Sequence, residues 1–501
     1  MPFTPPEVQL GAIAPEIALS VAALLLLVLD AFIGDAGRRL HLPILSTIGL
    51  VVAGWLAIDQ WGASETQLSG MVALDGFSIF VKVTLVVFGL LTVWCARDHL
   101  TRVGIEEGEF YALTLFVVAG MMLMASAADL IVMFLALETF SIGLYVMVGF
   151  RLHSLSSQES ALKYFLLGSF SSAFFLLGIA LVYGATASTN LYGDATPGAA
   201  EGLTHFLATT PADNLGFLVL GVGLLIVGLG FKIAAVPFHS WTPDAYQGAP
   251  SPVTGFMAAG SKIAAFAAIL RLLDAVLYPL RWDWRPLVIG IAVLTMLVGS
   301  VLAIVQDDIK RLLAYSSIAH AGFVLVGVIA ASDRGVSGSL FYLATYGLTV
   351  IGAFAIVSII EGRHEDHMRL SSYRGLFVRR PALAAALTLF LLSLAGVPLT
   401  SGFIGKLLVF GAAVDSGYTW VAVIGVLASA IAAFFYLRVL VVMYMQEPDE
   451  GSASAGDPAL AGHPAGFPSY AVVGLTALAT LVLGIAWGPL FRLAEGATFF
   501  F

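Results

Sequence analysis

NLGFLVLGVGLLIVGLGFKIAAVPFHSWTPDAYQGAPSP, residues 214–252, is almost wholly apolar as far as Val236, with Lys232 its one charge there, and then breaks at Pro237 into a polar, proline-rich stretch. An apolar run of that length crosses a hydrocarbon core of about 30 Å as a helix. Comparable runs recur from one end of the chain to the other. The chain has 501 residues, 59% hydrophobic and 11% charged, with mean hydropathy +0.96, where a soluble domain carries about 25% charged residues. In lipid the backbone must pair with itself, as helices or as a closed barrel. Barrel strands alternate apolar and polar positions, whereas these runs are continuous. The expected fold is an all-α polytopic membrane protein.

Working outward, spans are expected near 10–33, 43–62, 77–97, 110–127, 129–150, 160–184, 214–236, 252–273, 286–305, 312–331, 337–360, 382–411, 417–445 and 468–490, about fourteen in all. The longest loops, 185–213 and 446–467, are too short for a soluble domain. Residues 1–9 hold Glu7 and prolines without a basic stretch, so the first run is expected to be a retained helix rather than a cleaved signal. Cys95 alone cannot form an intrachain disulfide, and no P-loop is present. Alternate loops carry twelve basic residues, from Arg38 and Arg39 to Arg379 and Arg380, with Lys310 among them. That side is expected to be cytoplasmic, with both termini outside.

Two spans are interrupted: the seventh at Pro237, and the twelfth within LAGVPLTSGFIGK, residues 394–406. Broken helices at matching places in two halves point to an ion or substrate site. The two breaks lie five spans apart, which suggests repeated five-helix units.

Five of the six lysines, Lys82, Lys163, Lys232, Lys262 and Lys406, fall inside expected spans. Each charge at mid-membrane is costly, roughly 2.5–3.5 kcal/mol on insertion scales. A desolvated lysine can release its proton where arginine cannot, so lysine at depth suggests a proton path. Lys82 and Lys163 could instead snorkel to the two surfaces; Lys232 and Lys262 are deeper. Glu138, in FLALETFSIGLY (134–145), is the matching acid. It is expected to pair with Lys163 or Lys232, as a switch or as a static ion pair. His239 after the first break and His320 in SSIAHAG (316–322) could pass protons or simply hold helices together. GVGLLIVGLG (221–230) has the wrong spacing for a dinucleotide loop. His364, Glu365, Asp366 and His367 sit in a charged loop without metal-ligand spacing. No metal and no nucleic acid are expected.

FKIAAVPFHSWTPDAYQGAPSPVTGFMAAGSKIAAF (231–266), QDDIKRLLAYSSIAHAGF (306–323) and LAGVPLTSGFIGK (394–406) resemble the antiporter-like membrane subunits of respiratory complex I. ALKYFLLGSFSSAFFLLGIALVYG (161–184) is similar to the sixth span of the subunit N branch of that family, in the bacterial NADH:quinone oxidoreductase. The resemblance implies three leading helices (1–109), a first repeat (110–273), an inverted second repeat (286–445), and a loop with a last helix (446–501). It implies proton translocation through Glu138 coupled to Lys232, with Lys163 nearby, Lys262 as central relay, Lys406 in the second half and His239 after the broken helix. His320 is a further candidate, and Lys82 has no assigned counterpart. It further implies no cofactor in this chain; NADH, FMN, iron–sulfur clusters and quinone would belong to other subunits. The implied partners are the bilayer, a neighbouring antiporter-like subunit M and the small membrane subunits A, J and K, in the cytoplasmic (inner) membrane of a bacterium. The alternative is a subunit of a multisubunit Mrp-type cation/proton antiporter or of a membrane-bound hydrogenase.

Overall fold

With no water in hydrocarbon to accept their hydrogen bonds, the N–H and C=O groups of each segment must pair locally, and this chain pairs them in helices. The computed structural model describes residues 9–33, 40–105, 107–193, 202–209, 216–361, 368–447 and 465–499. The first spans are α1 (Ala14–Ile33), α2 (His41–Asp59), α3 (Gly76–Val103), α4 (Gly108–Ser126), α5 (Leu130–Val148) and α6 (Leu155–Thr186). A short helix, α7 (Leu203–Thr209), precedes α8 (Gly216–Lys232), α9 (Trp241–Gly248) and α10 (Ser251–Val276). Then come α11 (Arg281–Ile304), α12 (Ile309–Ala330), α13 (Asp333–Glu361), α14 (Pro381–Ala395), α15 (Ser401–Asp415), α16 (Thr419–Met445), α17 (Phe467–Ile485) and α18 (Gly488–Glu495).

Twelve of these helices, among the described residues, are long and apolar enough to cross a membrane. The other two expected spans are the broken ones, α8/α9 and α14/α15. Span twelve is therefore two helices and not one: residues 396–400 leave the helix, with Gly396 at φ 88 and Leu399 at φ 73. Consecutive spans run in opposite directions, so breaks five spans apart face opposite sides. That is the geometry of two inverted five-helix units, each with one broken helix.

The middle of the bundle is α10, flanked by α12 and α13; the hydrophobic window of α10 is entirely buried, and those of the other two nearly so. α10 widens to a π-helical turn at Met257–Ser261, immediately before Lys262, a departure common at functional positions. Gly221 and Gly228 serve packing. A Cβ on Gly221 would meet Gly178 O at 3.0 Å, and one on Gly228 would meet the Phe175 side chain at 2.6 Å. Bare backbones are what let α6 and α8 approach this closely.

Two sequence expectations change here. Lys82 does not snorkel: it is fully buried, its Nζ 2.7 Å from Glu16 Oε1. Lys310 is not a loop residue but lies in the first turn of α12, 1% exposed. A small hairpin, β1 (Glu65–Gln67) paired antiparallel with β2 (Val72–Leu74), caps the start of α3. Most of the loop at 446–467, much of that at 185–213, and Arg38, Arg39, Arg363 and His364 to His367 lie outside the described residues.

Arg271, with no exposed surface, ties four pieces together. Its guanidinium forks onto Asp75 at 2.8 and 3.0 Å, donates to Tyr192 Oη at 3.2 Å and to Ala125 O at 3.1 Å, and lies 5.2 Å from the Phe77 ring. Asp75 is also the N-cap of α3, accepting from Ser78 N at 2.8 Å. Removing one member of a buried ion pair costs about 3–5 kcal/mol. Arg271→Met should accordingly lower the thermal unfolding midpoint of the purified protein by many degrees, and a midpoint equal to wild type would show that the pair does not hold these elements.

Candidate functional site

The last residue of α8 is Lys232, where the helix stops before the break. Its Nζ enters a box of rings, 5.4 Å from Phe140, 5.0 Å from Tyr145, 5.1 Å from Tyr164 and 5.9 Å from Phe231. Cation–π attraction of this kind strengthens when water is excluded. Tyr145 Oη at 3.5 Å and Tyr164 Oη at 3.4 Å are its oxygen neighbours. The broken segment helps build the box: Trp241 of α9 donates from Nε1 to Phe231 O at 3.0 Å and stacks on Tyr164 at 4.3 Å.

Lys262 lies one helix further in, 2% exposed, and its Nζ donates to Ser317 O. Ser317 Oγ is 3.3 Å from Tyr246 Oη of α9. One residue back on α12, Ser316 bonds Tyr436 of α16. Tyr436 Oη lies 3.2 Å from His320 Nε2, and Tyr342 Oη lies 2.7 Å from His320 Nδ1. His320 is thus held by a phenol at each ring nitrogen, and its role as acceptor or donor at each follows the phenol protons.

Lys406 occupies α15 just after the second break. Stopping α14 at Ala395 leaves its last carbonyls without helical partners, and Lys406 Nζ donates to two of them, Leu394 O and Ala395 O, each at 3.0 Å. The Phe323 ring lies 4.7 Å away. Between His320 and Leu394 is a cavity of about 10 Å³, lined also by Tyr342, Tyr346 and Ser393, close to the least space one water needs.

The remaining candidates are placed differently from the expectation. Glu138 is only half-buried, bonded by Ser172, and no described ion pair joins it to Lys232. Its charge still reaches Lys232 electrostatically. Lys163 is not buried: its side chain is 45% exposed and pairs with Glu159 at 2.6 Å and Asp244 at 2.9 Å. Helix α6 extends to Leu155, so this lysine is less than three turns from its end and reaches out. His239 is half-buried in the turn after the break, and no described contact joins it to Lys232 or Lys262.

Sequence reasoning did not single out the phenols and hydroxyls, Tyr145, Tyr164, Tyr246, Tyr342 and Tyr436 with Ser316 and Ser317. For four of them the signal was present: tyrosine favours the membrane interface, and Tyr145, Tyr164, Tyr342 and Tyr436 lie inside expected spans.

A family profile described as NADH:quinone oxidoreductase/Mrp antiporter, TM, matches residues 127–432. NADH-quinone oxidoreductase subunit N of Chloroflexus aggregans is 41% identical over 495 residues, covering 98% of both chains. A chain of respiratory complex I from Thermus thermophilus with bound aureothin superposes with TM-score 0.76 at 35% identity, over 97% of this chain and 100% of that one. A chain of the Mrp complex from Dietzia sp. shares the fold, with TM-score 0.80 at 22% identity over 97% and 96%.

Of the six lysines, Lys163 alone is exposed, while Lys82, Lys232, Lys262, Lys310 and Lys406 are at most 5% exposed. An amine-directed ester applied to the folded protein should modify Lys163 and spare the other five, as read by peptide mass spectrometry. Modification of Lys262 before unfolding would contradict the buried placement.

Proposed function

The chain belongs to the NADH:quinone oxidoreductase/Mrp antiporter membrane family and, within it, to the subunit N group of NADH-quinone oxidoreductase, and from that premise we propose the route by which protons cross it. It is a proton-translocating, multi-pass membrane subunit of that enzyme, and the redox chemistry belongs to other subunits. The route runs from Lys232 by way of Lys262 and His320 to Lys406. Glu138 acts on it from the flank by its charge, and Lys163 and His239 lie toward its entrance. Electrons would pass from NADH through FMN and iron–sulfur clusters to quinone elsewhere in the complex. The antiporter-like subunit M and small subunits A, J and K would be its neighbours, in a bacterial cytoplasmic membrane.

One observation carries this reading. Among the described ion pairs, lysines appear only at Lys82, Lys163 and Lys310. Lys232, Lys262 and Lys406 are buried like Lys82 and Lys310, yet they are held by carbonyls, phenols and rings. A lysine fixed by a carboxylate keeps its proton; one held by neutral oxygens is free to exchange it. The hydroxyls and the imidazole between them can pass a proton by exchanging donor and acceptor roles.

Lys262→Ala should leave the complex assembled while lowering NADH-driven proton uptake into proteoliposomes and coupled quinone reduction. Lys232→Arg should do likewise, because guanidinium does not release its proton. Wild-type uptake by Lys232→Arg would make that residue a fixed counter-charge. Basic-residue asymmetry also puts the Arg374 end on the cytoplasmic side. Arg374→Cys should therefore resist an impermeant thiol reagent added to intact cells and react in inverted vesicles; the reverse pattern would invert the topology.

A further inference from the structure

At the end of the bundle where α3, α5 and α13 finish and α6, α10 and α12 begin, a second polar cluster is buried outside the route just described. Glu361, the last residue of α13, is 1% exposed. Its Oε1 accepts from Arg151 Nη2 at 2.6 Å and from Lys310 Nζ at 3.4 Å, and Oε2 accepts from Ser251. Lys310 Nζ also donates to Ala249 O at 2.8 Å and Gln247 O at 3.4 Å. Arg151 is further joined to His99 Nε2 at 2.9 Å, and His99 Nδ1 lies 2.9 Å from Ser358 Oγ. Arg102 and Asp308 are the other charges facing the group.

Three features distinguish this from a static tie. First, Glu361 is shared unequally between two cations, so a small side-chain shift exchanges one for the other. Second, Arg151 lines an open groove of about 1040 Å³, with Glu107, Glu109, His153 and Ser156 around it. Lys310, on the other side of the same carboxylate, is closed off. Third, further polar groups lie deeper in the bundle than Lys310. Tyr246 Oη meets Ser317 Oγ at 3.3 Å, and Ser317 O holds Lys262. Lys310 and Ser317 are seven residues apart on α12, about 10 Å.

We propose that Lys310 is a further proton-carrying group, loaded from the groove at Arg151 and discharging toward Lys262, with Glu361 alternating between Arg151 and Lys310 as the gate. The inference rests on the proton route proposed above. With Lys310 protonated, Glu361 is drawn to it. When Glu361 swings wholly to Arg151, Lys310 loses its counter-charge, one of its N–H bonds breaks, and the proton passes through intervening water and the hydroxyls of Tyr246 and Ser317 to form an N–H bond on a neutral Lys262. A proton from water in the groove then restores the Lys310 ammonium, which draws Glu361 back. Arg151 keeps its charge throughout and acts by positioning the carboxylate.

The test is NADH-driven proton uptake by the intact complex in proteoliposomes, expressed as protons per NADH. Lys310→Arg keeps the charge and the donors to Glu361 and Ala249 O, so a purely structural role predicts wild-type uptake. The proposal predicts an assembled complex with at least a twofold lower ratio, and a wild-type ratio overturns it. Lys262→Ala is measured in parallel. If it pumps normally the route itself fails; if it is impaired while Lys310→Arg pumps normally, only the present inference fails. Should Lys310→Arg not assemble, His153→Cys at the groove supplies the test. Alkylation there with a bulky maleimide should lower the ratio relative to wild-type complex treated identically, and an unchanged ratio again overturns the proposal.

Discussion

A cation placed inside a bilayer must find its ligands in the protein, because neither lipid nor water will supply them. That constraint orders this chain. Six lysines and several arginines are met in three ways, by carboxylates, by neutral oxygens and by aromatic faces. Where the structure needs a fixed joint it supplies a carboxylate, as for Arg271 on Asp75 and Lys82 on Glu16. Along the line from Lys232 to Lys406 it supplies carbonyls, phenols and rings instead. The two broken helices follow from the same demand. One ends its regular backbone beside Lys232 and brings Trp241 and Tyr246 into the core, and the other frees the carbonyls that receive Lys406.

Much of this was legible in the residues. Continuous apolar runs fixed the helices, Pro237 and the glycine–proline stretch near 396 marked the breaks, and the lysines marked the axis. What was not legible depended on which face a residue takes. Lys163 and Lys232 both read as lysines in apolar surroundings, yet one lies at the rim beside Asp244 and the other in a closed aromatic box. Lys310 follows two aspartates and read as a loop cation. It is buried because Asp308 caps α12, accepting from Arg311 N at 3.0 Å, and thereby turns the next residues into the bundle. Glu138 read as the direct partner of Lys232, but it is half-exposed on α5 beside Ile142 and Leu135. The surface it shares with those side chains is apolar and faces outward, so its environment is completed by whatever lies against the helix.

The fold places its outward apolar side chains and its buried polar groups in separate layers. Peripheral helices such as α1, α2 and α16 present large apolar side chains outward, among them Phe32, Trp55 and Phe434. The buried trio α10, α12 and α13 carries Lys262, His320 and Tyr342 and packs without a large void. On the proposed route, hydroxyls, an imidazole and a water-sized cavity would pass protons by exchanging bonds, with little displacement of the helices themselves.

Lys406 shows how such a site can change charge without changing shape. An ammonium has three N–H donors and a neutral amine has two. Two carbonyls, Leu394 O and Ala395 O, receive them. When the third proton departs, both hydrogen bonds survive and the nitrogen gains a lone pair at the vacated corner. On the proposed route the amine would stay docked to the end of α14 in either charge state, with its reprotonation target already aimed before the next proton arrives.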